Sequence, residues 1–513
     1  MKFLDLPDDL IAEILRWLDE DSVYTCSLVN KGLRAYLHHD LEFEYRYRLA
    51  KHQLVDTCHG RFTYEQRIHL LKHFTWMWWS DIGSPKEPYE AYRIEGRCIA
   101  YELVAGVFAK TDGSSLTMQW LPSLFTPARQ ITYSRRKIGF PIKDFALDPT
   151  QDLITLIEAD LLPNVLPRGR EIVIHIKRLS TYAPHPLAKE PTIRFMVPYH
   201  PQGNYPQGVT IQLAGDLLSI FFSSPPGLPQ LLLWDWKRNA IILNSMTPGL
   251  HLPTGTHSFE ILSPRSYALL STTNSGSIHV YNIDYPRNPI VPPFCVARLM
   301  MPSLLPGLQL ASLFSHTGPF LGQPRRDGIF TTSPDARVFV ITARFLNTPR
   351  THATFFINGA AFAPYMQLRD QPSEIPEIPW QEWSNQKCFL TPFHLSTNWL
   401  RQVRYVQGTR VVMPMEEPSH GKVAILDFNL VRDPIAERSS NFDLFTEDIR
   451  HILPPRTQAF LVNSRCTSWM IDEDYILGLD TEGAFDEQIR SLEVYSMYHC
   501  PKVEALLLSS NTE

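Results

Sequence analysis

The chain is short of most features that announce a chemistry. No run among its 513 residues approaches the ~18 consecutive apolar positions of a membrane-crossing helix, so no span is expected. A basic excess is missing too. The 48 Lys and Arg stand against 53 Asp and Glu, for a net charge of −5, which argues against a nucleic-acid partner. The seven cysteines (Cys26, Cys58, Cys98, Cys295, Cys388, Cys466 and Cys500) are scattered and never at Cys-x-x-Cys spacing. Neither a zinc site nor a disulfide framework is therefore indicated. There is no Gly-rich phosphate loop, no Gly-x-Ser-x-Gly elbow and no His-Glu-x-x-His helix, so no catalytic residue, metal or cofactor is expected. Met1-Lys2-Phe3 leads straight into a helical pattern with no secretory apolar region, and no Asn-x-Ser/Thr sequon occurs. Both features point to the cytosol or nucleus.

What is present begins with size: 44% of the chain is hydrophobic, ample for a large core and more than one domain. Prolines number 42 against 24 glycines, with little low-complexity sequence, which suggests many strand-ending loops. The N-terminus is helical. Leu10, Ile11, Ile14, Leu15 and Leu18 recur at one-turn spacing and form a broad apolar stripe. Pro7 suits a first helical position, and Asp8 and Asp9 place negative charge at the positive end of the dipole. Asp19-Glu20-Asp21-Ser22 can cap a second helix, and Asn30 a third that carries Leu33, Arg34 and Leu37. Some forty residues make too small a core to stand alone, so this unit is expected to dock on something.

These residues resemble an F-box. That motif opens with Leu-Pro, runs through a Leu/Ile-rich helix ending in an aromatic-Leu pair, and closes with Val-Ser/Cys-Lys/Arg-x-Trp-Arg. Here the parts are Leu6-Pro7, Leu10 to Trp17-Leu18, and Val29-Asn30-Lys31-Gly32-Leu33-Arg34. Asn30 replaces Ser or Cys and Leu33 replaces Trp. The stretch from Tyr45-Arg46-Tyr47-Arg48 through Thr63-Tyr64-Glu65 to Trp78-Trp79 is similar to the helical linker of many fungal F-box proteins. The resemblance implies binding to the Skp adaptor and, through it, to a cullin–RING ubiquitin ligase. It implies adaptor contacts from Leu6, Pro7, Leu10, Ile11, Ile14, Leu15, Leu18, Leu28, Val29, Lys31 and Leu33. Either Ile11 with Leu15, or Leu10 with Ile14, must serve the internal core instead; the sequence leaves both open.

From about residue 97 the period turns strand-like. A polar turn, an apolar strand, a loop and a second strand recur: 148–157 with 171–176, 214–222 with 231–236, 263–271 with 277–281, 333–341 with 354–357, 410–413 with 423–428, and 472–479 with 491–495. Adding 98–103 with 116–121 makes about seven units. Their spacing exceeds the ~40–45 residues of a compact blade, so long loops must be inserted. Ser-Pro-Asp turns and Trp234-Asp235 loosely resemble WD-repeat propellers. The expected architecture is mixed: a small all-α F-box over 1–40, a helical linker over 41–90, and an all-β body over 91–513. That body reads as a six- to eight-bladed β-propeller, with two β-sandwiches or a mixed β body as alternatives. Closure would bring the last unit against the first, near 91–121.

Few residues suggest chemistry in the body. Arg135 and Arg136 (with Lys137) and Arg325 and Arg326 are the tight basic clusters, and they suit an acidic or phosphorylated client segment as readily as a charged loop. His38-His39-Asp40 reads as a solvated turn more readily than as a metal site. Asp472, Glu473 and Asp474 read as a blade-connecting turn more readily than as a glycosidase carboxylate pair. Trp76, Trp78 and Trp79 are expected to pack the linker on the first blade. The favoured function is a non-catalytic substrate receptor that holds an unknown protein client on its β body. The alternative is a propeller scaffold with a structural helical cap.

Overall fold

The computed structural model describes residues 3–57, 62–79, 88–122, 133–159, 170–197, 208–223, 229–284, 291–323, 328, 330–346, 352–368, 370–385, 387–391, 404–414, 422–429, 438–440, 444–447, 449–451, 455–461, 464, 466–482 and 488–497. Five helices come first: α1 (Asp8–Arg16), α2 (Glu20–Val29), α3 (Lys31–His39), α4 (Leu41–His52) and α5 (Tyr64–Trp79). A short strand, Leu54–Asp56, separates α4 from α5.

The β body is a seven-bladed propeller. Its blades are antiparallel four-stranded sheets whose inner strands are, in order, Ala100–Val104, Ile142–Asp148, Gly208–Ala214, Thr256–Ser263, Leu310–Thr317, Val406–Gln407 and Ser468–Ile471. In blades two to seven, each strand pair expected from sequence is the central pair of one blade. The first unit needs correction. Segments 98–103 and 116–121 belong to the first and third strands of blade one, and Val107–Thr111 lies between them.

The reason central strands are legible is burial on both faces. Leu217–Ser223 and Leu231 to Asp235 are sandwiched between neighbouring blades and read as near-continuous apolar runs. The core is accordingly a ring of inter-blade layers. Ile174, Ile176, Leu218 and Trp236 pack blade two on blade three. Ala268, Leu270 and Val280 of blade four share a layer with Ile341 and Phe355 of blade five.

Closure is made by the strand Glu90–Arg97, which pairs antiparallel with Gln488–Ser496 and becomes the outer strand of blade seven. Ile94 of this strand is buried with Phe108, Leu477, Leu479 and Leu492, so the same contact joins blade seven to blade one. The long insertions lie mainly in blade five. One carries the strand Phe330–Thr332, which pairs with Leu54–Asp56 of the linker. Another places Glu377–Ile378 parallel to Phe294–Met300 and covers the outer edge of blade four.

The linker docks on blades five to seven, not on blade one as the tryptophan cluster suggested. Trp78 is fully buried with Phe74, Phe330, Val411 and Tyr495. The Arg410 guanidinium of blade six lies 4.2 Å from its ring centroid. Trp79 meets Arg456 of the same blade at 4.6 Å, while Trp76 is exposed. The reason is the site of docking: the Phe330–Thr332 insertion and blade six offer the apolar surface that α5 covers.

Asp472, Glu473 and Asp474 do not connect two blades: they form the hairpin turn between two strands of blade seven, and that turn is buried. Asp472 Oδ2 accepts from the Gly106 amide of blade one at 2.5 Å, and Glu473 is saturated by donors from other segments. If closure holds the ring, Ile94→Ala lowers the global unfolding free energy by about 2–5 kcal/mol in urea denaturation. A loss confined to fraying of residues 90–97 would contradict it.

Candidate protein-docking site

The N-terminal helices are set by their caps. Asp19 Oδ1 accepts from the Ser22 amide at 2.7 Å, Asn30 Oδ1 from Leu33 at 2.8 Å, and Asp40 Oδ1 from Glu42 at 2.8 Å. Asn30 therefore caps as the usual serine would. Pro7 is the N-cap of α1 and not its first helical residue, and its carbonyl accepts from Leu10 and Ile11. His38 and His39 are the last turn of α3 and Asp40 caps α4, so the expected solvated turn is helix end and helix start. Arg46 of α4 donates to the carbonyls of Leu15 and Leu18, satisfying the C-terminal end of α1.

A small separate core results: Ile11, Ala12, Leu15, Val23, Leu33, Leu37 and Phe43. This settles which pair faces inward. Ile11 and Leu15 are 2% and 1% exposed, whereas Leu10 and Ile14 are 52% and 44% exposed. Trp17, three residues on from Ile14, is 84% exposed. Leu10, Ile14 and Trp17 thus make a second apolar stripe on α1 that the described chain leaves uncovered.

Residues 3–43 match the F-box domain. Of the residues expected to contact an adaptor through this F-box, Pro7, Leu10, Ile14, Leu28, Val29 and Lys31 are exposed, and Leu6 and Leu18 are half-buried. Ile11, Leu15 and Leu33 are corrected: their side chains fill the F-box's own core and present no surface. The expected contacts did not include Trp17, which the structure places on the exposed face with Leu10 and Ile14. Its position seven residues after Leu10 was the available signal, since that spacing returns to the same helical face.

No curated protein sequence matches the chain. Solved structures align with the chain at low identity. The WD40 domain of coronin from Toxoplasma gondii aligns at 10% identity and TM-score 0.35, covering 82% of this chain and 88% of that one. The WD40 domain of SCAP from fission yeast aligns at 9% identity and TM-score 0.36, covering 80% and 98%. AztD from Citrobacter koseri aligns at 10% identity and TM-score 0.34, covering 78% and 89%. At these scores the likenesses carry no functional argument, and the blade count rests on the sheet order.

Among the described residues, the two basic candidates on the body each have a partner of their own. Arg135 pairs with Asp112 at 3.1 Å, and Arg136 lies over the Tyr182 ring at 4.9 Å, both on the outer strand of blade one. Arg325 and Arg326 lie outside the described residues. Polar groups converge instead on the inner strands. Arg404 grips Glu102 with two bonds of 2.5 and 2.8 Å, joining blade six to blade one, and donates to the Thr317 carbonyl of blade five. Glu260 of blade four accepts from Gln212 of blade three and Ser315 of blade five, each at 2.8 Å. Asp144 of blade two accepts from the amide of its neighbour Phe145 at 2.8 Å. Burial pushes its carboxyl up to about 7, with the Glu102 charge adding to the rise.

Two outcomes follow from these positions. Leu15→Ala is expected to destabilise the F-box by about 2–5 kcal/mol, and Leu10→Ala or Ile14→Ala by under about 0.5, in thermal or urea unfolding. Because folding raises the Asp144 pKa, the folded chain holds a proton that the unfolded chain has released, and stability falls as pH rises from about 4 to about 7. Asp144→Asn is expected to flatten that fall in melting temperature; an unchanged profile would refute the assignment.

Proposed function

We propose that this protein is the substrate receptor of a Skp–cullin–F-box ubiquitin ligase. The observation that carries the reading is the uncovered stripe of Leu10, Ile14 and Trp17 on a unit that matches the F-box domain. Leu28, Val29, Pro7 and Lys31 add exposed surface near the helix ends. The adaptor is proposed to cover this surface, with Trp17 as its largest anchor. The receptor supplies no catalytic residue; a client held on the propeller gains ubiquitin through proximity to the charged enzyme. Cytosolic or nuclear location goes with this role.

The separate F-box core supports docking over the cap alternative. A structural cap would share its core with the body, whereas Ile11, Leu15, Val23 and Leu37 pack among themselves. α4 connects the two cores: Phe43 belongs to the F-box layer, and Tyr45 and Leu49 to the layer under blades five to seven.

The test is co-expression of the full chain with a Skp adaptor followed by size-exclusion chromatography. A one-to-one complex is expected. Leu10→Glu with Ile14→Glu is expected to abolish it, and Trp17→Ala to weaken it roughly 30-fold, with the propeller's melting unchanged. A wild-type chain that ignores the adaptor would overturn the proposal.

A further inference from the structure

We infer that Glu473 is a positioning residue that fixes the angle at which the linker, and with it the F-box, sits on the propeller; this deepens the receptor reading and rests on it for its consequence in ubiquitin transfer. Glu473 belongs to the closing blade, yet three of its bonds go to the inserted strand Phe330–Thr332. It accepts from Thr331 Oγ1 at 3.1 Å, the Thr332 amide at 2.9 Å and Thr332 Oγ1 at 2.9 Å. A fourth comes from Gln407 of blade six at 3.0 Å. That strand in turn pairs with the linker strand Leu54–Asp56, and the Ser333 amide donates to the Gln53 carbonyl at 2.9 Å. Thr57 Oγ1 donates to the Gly328 carbonyl at 2.6 Å.

Packing does not replace these bonds. A cavity of about 190 Å³ lies against Val55, Thr331, Thr332, Gly408 and Glu473, so this side of the seam is not backed by close-packed side chains. The apolar layer under α4 and α5 holds the linker down, but hydrophobic contact has no direction. The hydrogen bonds do, and a buried carboxylate with four donors admits few alternative registers. Gly408 marks how close the fit is. A Cβ there would stand 2.4 Å from Thr332 Cγ2 and 2.8 Å from its Cβ, and the residue's φ is +54°.

The test measures the distance distribution between spin labels introduced at Lys31 and Arg194 in the full chain. A single narrow distribution is expected for the wild type. Glu473→Ala, which removes the acceptor, and Gly408→Ala, which wedges Thr332, are each expected to broaden it. Both are expected to speed amide exchange at least tenfold over residues 53–57 and 330–333, while residues 153–158 of blade two stay protected. Glu473→Gln, which keeps one acceptor oxygen, is expected to restore much of the narrow distribution. If Glu473→Ala does not fold, Thr332→Val carries the same test. Unchanged distributions in folded variants would overturn the inference. In a reconstituted ligase, the broadened variants are expected to keep adaptor affinity and spread ubiquitin over more of the propeller's own lysines. Failure of adaptor binding in the wild type would remove the receptor reading and leave the distance result standing.

Discussion

The structure depends on one strand pairing across nearly the whole chain. Glu90–Arg97 lies before blade one in sequence and completes blade seven in space. A propeller left open there would expose the edge of Gln488–Ser496 and one face of two blades. Closing it with an early strand makes every inter-blade layer part of one ring. It also places the chain that enters the propeller beside the chain that ends it, so the helices preceding residue 90 are delivered to the closing side. Docking of the linker on blades five to seven follows from that geometry.

α1 carries two apolar stripes with different fates. Its inward stripe, Ile11 and Leu15, makes a core with α2, α3 and Phe43. Its outward stripe, Leu10, Ile14 and Trp17, is equally apolar and lies bare. Exposed apolar area of this kind costs solubility unless something covers it. Polar neighbours limit the liability: Asp8, Asp9, Glu13 and Arg16 flank the stripe on the same helix. This is the surface that the proposed adaptor would cover.

The sequence exposed some of this and hid the rest for physical reasons. Helix caps are local, so Asp19 and Asn30 could be assigned from neighbouring residues. Central blade strands are buried on both faces, so their apolar runs stood out. Val107–Thr111 was missed because its Lys110 and small Ala109 interrupt the run, although both are buried. Which stripe of α1 faces inward depends on where α2 and α3 cross it, and both stripes have similar composition. Long-range partners were invisible. Nothing near Glu473 in sequence foretells Thr331, Thr332 and Gln407, and nothing near Trp78 foretells Arg410. Asp472 to Asp474 read as a blade-connecting turn because acidic turns are ordinary in β proteins; here they turn between two strands of one blade, and tertiary contacts supply donors that hold the turn inside.

The polar groups on the inner strands raise a question of energetics. Buried charge pairs add little net stability, since desolvation offsets most of the attraction. The Arg404–Glu102 pair nevertheless spans blades six and one, bypassing blade seven, and Glu260 joins blades three, four and five. Apolar layers between blades would tolerate small rotations of one blade on the next. Bonds with fixed direction between blades that do not all touch tolerate far less. The inner belt and the Glu473 contacts therefore act alike at two radii: the first sets how the blades stand around the ring, the second how the linker stands on the blades. In the proposed receptor, which would present a client at one distance from a bound enzyme, such directional contacts would matter more than the stability they add.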